Sequence, residues 1–180
     1  MSGSARSARR RAPPLLVFSG PSGAGKTRLL VRLIPALRAR GLAVAVVKHT
    51  GHRHALDVRG KDTERLRRAG AVAAAIEGPA GLAWFGPPAG GPRALARLLP
   101  PCDLVLGEGW KRERLPRVEV HRRRVDRAFL CAEDRGVVAV VTDEPPPRPL
   151  PTFAPGEVER LASWVVGWVR RQRRPARQRR

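Results

Sequence analysis

The octet Gly20-Pro-Ser-Gly-Ala-Gly-Lys-Thr27 satisfies the pattern G-x-x-x-x-G-K-[ST]. It follows the apolar run Leu15–Ser19 and precedes a leucine-rich stretch, the strand-then-helix setting in which that pattern cradles a nucleoside triphosphate. The chemistry is electrostatic. Successive backbone N–H groups turn inward on the phosphates, and the helix start adds its positive end. In this reading Lys26 reaches the β- and γ-phosphates and the Thr27 hydroxyl coordinates Mg2+. The residues assigned to the phosphate loop are Gly20, Ser22, Gly23, Ala24, Gly25, Lys26, Thr27 and Arg28.

A triphosphate loop needs a second carboxylate to hold the magnesium shell or orient water. Asp103 and Glu108 flank one apolar segment. At about 3.3 Å per residue they stand roughly 16 Å apart along a strand and cannot serve one ion together. Ligands of open α/β sheets sit at strand carboxyl ends, which selects Glu108 for the site and leaves Asp103 at the far edge. The segment Lys48–Asp62 holds His49, His52 and His54, imidazoles that could share a transition metal or simply donate hydrogen bonds to phosphate. No cysteine accompanies them and their spacing matches no standard zinc pattern. Asp57 and Asp62 lie in the same segment, where either could touch the magnesium shell through water, and Asp62 or Thr63 could instead cap a following helix.

These groups require positioning elements. Leu15–Ser19 reads as a buried strand, and Leu29, Leu30, Leu33, Ile34 and Leu37 mark one face of the helix after the loop. Pro35 is expected to bend that helix or end it early, with Gly41 as its stop. Leu42–Val47 reads as a strand buried on both faces. A short helix through Ala69 follows, then two strands, Ala71–Ile76 and Leu82–Phe85, joined by a tight turn. Pro92–Leu99 reads as a brief helix, and Asp103–Glu108, Arg117–Val120 and Val137–Val141 as further strands. The proline-rich run 145–151 is an extended crossing, and Val158, Leu161, Val165, Trp168 and Val169 make an amphipathic helix. Alternating strands and helices predict an α/β, three-layer P-loop NTPase fold with a mostly parallel sheet.

Of 180 residues 36 are basic and 15 acidic, a net charge of +21. Eleven of the arginines fall in residues 1–11 and 170–180, which contain no acid. The expected organisation is a disordered basic tail over 1–12, one P-loop domain over 13–169, and a second disordered basic tail over 170–180. Only four basic residues are lysine, so the charge reads as a drift toward arginine rather than as a nucleic-acid surface, for which no motif or aromatic-interleaved groove is present. The surviving lysines, Lys26, Lys48, Lys61 and Lys111, then mark places where a compact ammonium is required. Cys102 and Cys131 form no CxxC pair, which fits a reducing cytoplasm. No leader pattern and no stretch of membrane-spanning length is expected to act.

Four pieces in order, FSGPSGAGKTRLL, VKHTGHRHALDVRGKDTERLRRAGA, DLVLGEGWKRERLPRVEVHR and VVTDEP, resemble the molybdopterin-guanine dinucleotide biosynthesis protein B family, MobB-type P-loop proteins. The resemblance spans about residues 15–146. It implies a GTP- and Mg2+-binding adaptor, with at most weak intrinsic GTPase activity, that assists a molybdenum cofactor guanylyltransferase in attaching GMP to molybdopterin. It also implies a homodimer. Carried over by position, Gly23, Gly25, Lys26 and Thr27 bind phosphate and magnesium. Lys48, His49, Gly60, Lys61 and Asp62 form the loop beside the nucleotide, and Glu108, Gly109 and Lys111 the segment behind the metal. The metal set is Thr27, Glu108 and Asp57, and no catalytic residue is assigned. Two departures stand out. Gly51 occupies the place of a family histidine and Ala55 that of an acid, and no Asn-Lys-x-Asp motif reads guanine. Asp143, after the last long strand, is the stand-in. Two other functions fit the same residues: a metal-delivery P-loop GTPase using His49, His52 and His54, and a small P-loop kinase with an arginine-rich lid in residues 112–127.

Overall fold

Alternate residues of Leu15–Ser19 serve opposite faces of a sheet, and all five are buried. Leu16 and Phe18 belong to one apolar cluster, Leu15 and Val17 to another, so this first strand, β1, lies in the sheet interior. The computed structural model describes residues 12–50, 57–110 and 113–174. Its elements in chain order are β1 (Leu15–Ser19), α1 (Lys26–Arg38), β2 (Val44–Lys48), α2 (Asp62–Arg68), β3 (Ala74–Gly78), β4 (Gly81–Phe85), α3 (Pro92–Ala96), β5 (Leu104–Glu108), β6 (Arg117–Val120), β7 (Val137–Val141), β8 (Thr152–Phe153) and α4 (Val158–Arg173).

Six strands form one sheet in the order β2-β5-β1-β6-β7-β8, every pairing parallel. The chain leaves β1 toward β5 and β2 on one side and reaches β6, β7 and β8 on the other. The carboxyl end of β1 is therefore a topological switch point, where crossover connections diverge and leave a crevice. Helices α1 and α4 cover one face through Leu29, Leu33, Leu37, Leu161, Val165 and Trp168. The other face is thinner: Leu95 and Leu99 from the α3 region and Trp110 pack on Leu15, Val17 and Val105. Fully burying a side chain such as Leu33 or Leu37 stabilises the fold by about 1.5–3 kcal/mol. The three-layer α/β arrangement with a mostly parallel sheet is the one expected.

Local details differ from the sequence reading. Strand β2 starts two residues later than expected and is the sheet edge, with Val46 exposed, rather than buried on both faces. Helix α1 runs through Pro35 to Arg38. The carbonyl that Pro35 cannot bond belongs to Val31, on the exposed side of the helix, where solvent can meet it. Asp62 is the first residue of α2, whose cap position is Lys61, so its carboxylate acts on the helix end through charge and not as a cap. Helix α3 ends at Ala96, short of Leu99. The folded body also extends past 169: α4 continues to Arg173, whose guanidinium binds Asp103 Oδ1 at 2.6 Å. The remainder of both basic tails, residues 1–11 and 175–180, lies outside the described residues.

The hairpin β3–β4 forms a separate two-stranded sheet. Cross-strand register places Phe85 and Ile76 on one face and Leu82 and Trp84 on the other. Helix α2 neighbours the first face, with the Arg67 guanidinium 5.9 Å from the centre of the Phe85 ring. Leu82 and Trp84 are left exposed. No helix among the described residues is long and apolar enough to cross a membrane.

Candidate nucleotide-binding site

The loop between β1 and α1 begins at Gly20, whose φ of 149° and position against β6 both exclude a side chain: a Cβ there would lie 2.2 Å from the Val120 carbonyl oxygen. Gly20→Ala is accordingly expected to displace the loop and to lower the thermal midpoint by several degrees, a shift readable by calorimetry. Gly25 caps α1, and Lys26 opens it. The Lys26 ammonium donates to the carbonyls of Gly20 (3.0 Å) and Pro21 (2.7 Å), folding its side chain back over the loop. Ala24 is buried, while Ser22, Gly23 and Arg28 are exposed.

Strand β5 supplies the acid. The Thr27 hydroxyl lies 2.9 and 3.0 Å from the two oxygens of Glu108, across 81 residues of chain. The Lys48 ammonium stands 3.6 Å from Glu108 Oε1. Parallel pairing produces this meeting, because Phe18 and Lys48 are both in register with Glu108. Glu108 is 8% exposed, so its charge is compensated by a neighbouring cation and a hydroxyl rather than by bulk water. A hydroxyl and a carboxylate beside a helix start are hard oxygen donors of the kind that Mg2+ accepts, with Thr27 binding the ion and Glu108 holding its water shell. The donor set therefore fits magnesium. The His49 N–H donates to the Glu108 carbonyl at 2.8 Å, and its ring lies against Trp110 with centroids 4.7 Å apart. This close approach again needs glycine: a Cβ on Gly109 (φ 91°) would sit 2.3 Å from the His49 carbonyl oxygen.

The other expected residues are placed differently. Asp57 does not join Thr27 and Glu108; it accepts from Thr63 Oγ1 at 2.9 Å and faces Arg67 Nε at 3.5 Å, which makes it a brace for α2. Asp62 is exposed and 3.9 Å from Arg65, and Lys61 is exposed beside it. Asp143 follows β7, its Oδ1 accepting from the Arg123 N–H at 3.3 Å. Gly51, His52, His54, Ala55 and Lys111 lie outside the described residues, and among the described ones no group of three His, Cys, Asp or Glu side chains could hold a metal ion. Hollows of about 680 Å³ (lined by Leu115, Arg117 and Gly136) and about 1040 Å³ (lined by Leu15, Cys102 and Arg173) open at the opposite, amino-terminal edge of the sheet, away from the loop.

Two polar residues beside the site escaped the sequence reading. Glu119 and His121 are fully buried. Glu119 accepts from the N–H groups of Leu130 (2.7 Å) and Cys131 (2.8 Å), and His121 Nε2 meets Glu144 Oε1 at 2.8 Å. Burial, reinforced by the Glu119 charge, pushes the Cys131 thiol up to about 11. In the run Val-Glu-Val-His these alternate residues would ordinarily face solvent. The only hint was that both lie in a segment otherwise apolar enough for a sheet interior.

A family model described as Molybdopterin guanine dinucleotide synthesis protein B, MobB, matches residues 15–143. The chain belongs to the MobB family. Its matched region contains the glycine loop of residues 20–27, Lys48, Glu108 and Asp143. The chain is 35% identical over 166 residues to the molybdopterin-guanine dinucleotide biosynthesis adapter protein of Escherichia coli K12, covering 88% of this chain and 95% of that one. The Haemophilus influenzae protein of the same name is 34% identical, with 87% and 89% covered. Among solved structures, the MobB homolog from Bacillus stearothermophilus superposes with a TM-score of 0.63 at 29% identity, over 87% of this chain and 97% of the other. The MobB fold thus extends over nearly the whole described chain.

Proposed function

We propose that this chain is a GTP-binding adapter that supports a guanylyltransferase in forming molybdopterin guanine dinucleotide. The observation that carries the reading is the contact of Thr27 with both oxygens of Glu108 at the switch point of the sheet, beside Lys26. It supports a Mg2+-triphosphate site, and the printed name of the relatives, adapter protein, supports a role exercised on a partner. Bound Mg2+ would supply charge to the β- and γ-phosphates. Lys26 would leave the carbonyls of Gly20 and Pro21 to pair with phosphate, and Lys48 would keep Glu108 compensated until the ion arrives. The cytoplasm, where GTP and a reducing milieu coincide, is the proposed compartment.

Reconstitution tests this function. Molybdopterin cofactor, GTP, Mg2+ and a molybdenum cofactor guanylyltransferase are combined with wild-type protein or with Lys26→Ala, and guanylated cofactor is quantified. Stimulation by the wild type alone is the expected result; equal yields with either protein, or with neither, would sink the adapter reading.

The exposed Leu82–Trp84 face supports a homodimer formed through the β3–β4 hairpin, since an isolated two-stranded sheet is marginal until something packs on it. Leu82→Glu is expected to shift the sedimenting species from dimer to monomer at micromolar concentration. Retention of the dimer by Leu82→Glu and Trp84→Glu alike would place the interface elsewhere.

A further inference from the structure

The Thr27–Glu108 contact lies on the β5 side of β1 and so marks where the γ-phosphate end of a bound triphosphate belongs. The α-phosphate, sugar and base must then run the other way, over the carboxyl ends of β6 and β7. Adjacent strands are about 4.8 Å apart, which puts those two ends one and two spacings from the phosphate loop. Two short segments run side by side there. The His121 N–H donates to the Val141 carbonyl at 2.9 Å, Arg122 Nη1 donates to the same carbonyl at 3.3 Å and to that of His121 at 2.5 Å, and the Arg123 N–H donates to Asp143 at 3.3 Å.

This rim is held from beneath. His121, fully buried, stacks on Phe129 with ring centroids 3.8 Å apart and meets Glu144, which also binds Arg123 at 3.1 Å. Glu119 grips the backbone at Leu130 and Cys131. The excursion from Arg122 to Ala128 is therefore pinned at both ends, and its Val125 comes within 3.9 Å of where a Cβ on Gly23 would stand. None of these polar groups touches the loop or the Thr27–Glu108 pair. What they accomplish is to fix Arg122 beside Asp143 next to the loop.

We propose that Arg122, together with Asp143, reads the purine and selects guanine. This deepens the GTP-binding reading and rests on it. Guanine presents N1–H and N2–H donors on one edge and the O6 and N7 acceptors on the next. Asp143 is acceptor-only and Arg122 donor-only, a planar fork suited to O6 and N7. Backbone carbonyls take Nη1, and the remaining guanidinium N–H groups are those the base meets. Burial, with Arg124 nearby, lowers the pKa of Arg122 against the pull of Asp143, a sign of a fork short of water that an acceptor on the base would replace. Adenine inverts the pattern: its N6 amine would face the fork where O6 is required, and its N1 would face the carboxylate with no hydrogen to give.

Calorimetric titration of the full chain with the Mg2+ complexes of GTP, 7-deaza-GTP, xanthosine triphosphate and ATP tests this. Wild-type protein is expected to bind GTP about 10- to 100-fold more tightly than 7-deaza-GTP, the range of a bidentate arginine contact. In Arg122→Gln that ratio should fall to near one while ATP binding stays unchanged, and Asp143→Asn should gain affinity for xanthosine triphosphate. Equal binding of GTP and 7-deaza-GTP by the wild type, or a uniform loss for all four nucleotides in Arg122→Gln, would show that Arg122 only ties β6 to β7 and would overturn the inference. Failure of the wild type to bind any triphosphate would overturn the GTP reading and this one with it.

Discussion

Lys26→Ala is expected to weaken Mg2+-GTP binding about 10- to 100-fold, the worth of a charge-assisted contact to phosphate. Its effect on the ligand-free fold should be small. The ammonium contacts with the carbonyls of Gly20 and Pro21 stay within the loop itself, and the side chain is only half-buried. Affinity and stability should therefore separate: calorimetric titration shows the loss, and thermal unfolding without nucleotide shows a midpoint within a few degrees of the wild type. Lys26→Arg is expected to fail similarly, because a planar guanidinium cannot fit where a compact ammonium sits between Gly20 and Pro21. Affinity within twofold of the wild type in Lys26→Ala would remove the lysine from the site.

The second large effect is on stability and comes from a residue that never touches the nucleotide. Glu119→Ala would leave two backbone donors without their acceptor, the buried Cys131 N–H and the part-buried Leu130 N–H. Each unsatisfied group costs about 1–3 kcal/mol. The sum, about 2–6 kcal/mol, is a large share of the roughly 5–15 kcal/mol that holds a typical domain together. For a chain of this size it corresponds to a fall of about 10 °C in thermal midpoint. Glu119→Gln keeps one acceptor oxygen and should lose about half as much. Urea unfolding of the two variants measures both. A loss below about 1 kcal/mol for the alanine variant would mean that the 130–131 turn finds other partners and that the rim above the phosphate loop is not held by Glu119.

What the sequence alone determined is what depends on short stretches of chain. The glycine loop between β1 and α1 was legible because its requirements are local: glycines where backbone must approach backbone, a strand before, a helix after, and Lys26 and Thr27 adjacent at the helix start. The placement of Glu108 beside Thr27 was legible because a strand has a direction, so that one of two acids could be assigned to the loop end of the strand and the other to the far edge. Lys48 emerged from composition, as an ammonium kept in an arginine-rich chain, and parallel register then carried it to Glu108. The tertiary structure decided everything that depends on neighbours distant in sequence. Asp57 shares a polar segment with His49, yet it turned toward Thr63 and Arg67, because α2 packs back on its own amino-terminal flank. Strand β2 has an interior strand's composition and still became an edge, since strand order is set by crossovers and not by apolar content. Glu119 and His121 alternate with valines as a solvent-facing pair would; they are buried because residues 122–136 fold over that side of β6, a covering no local pattern reports. Arg122 and Asp143, 21 positions apart, became neighbours only through the pairing of β6 with β7.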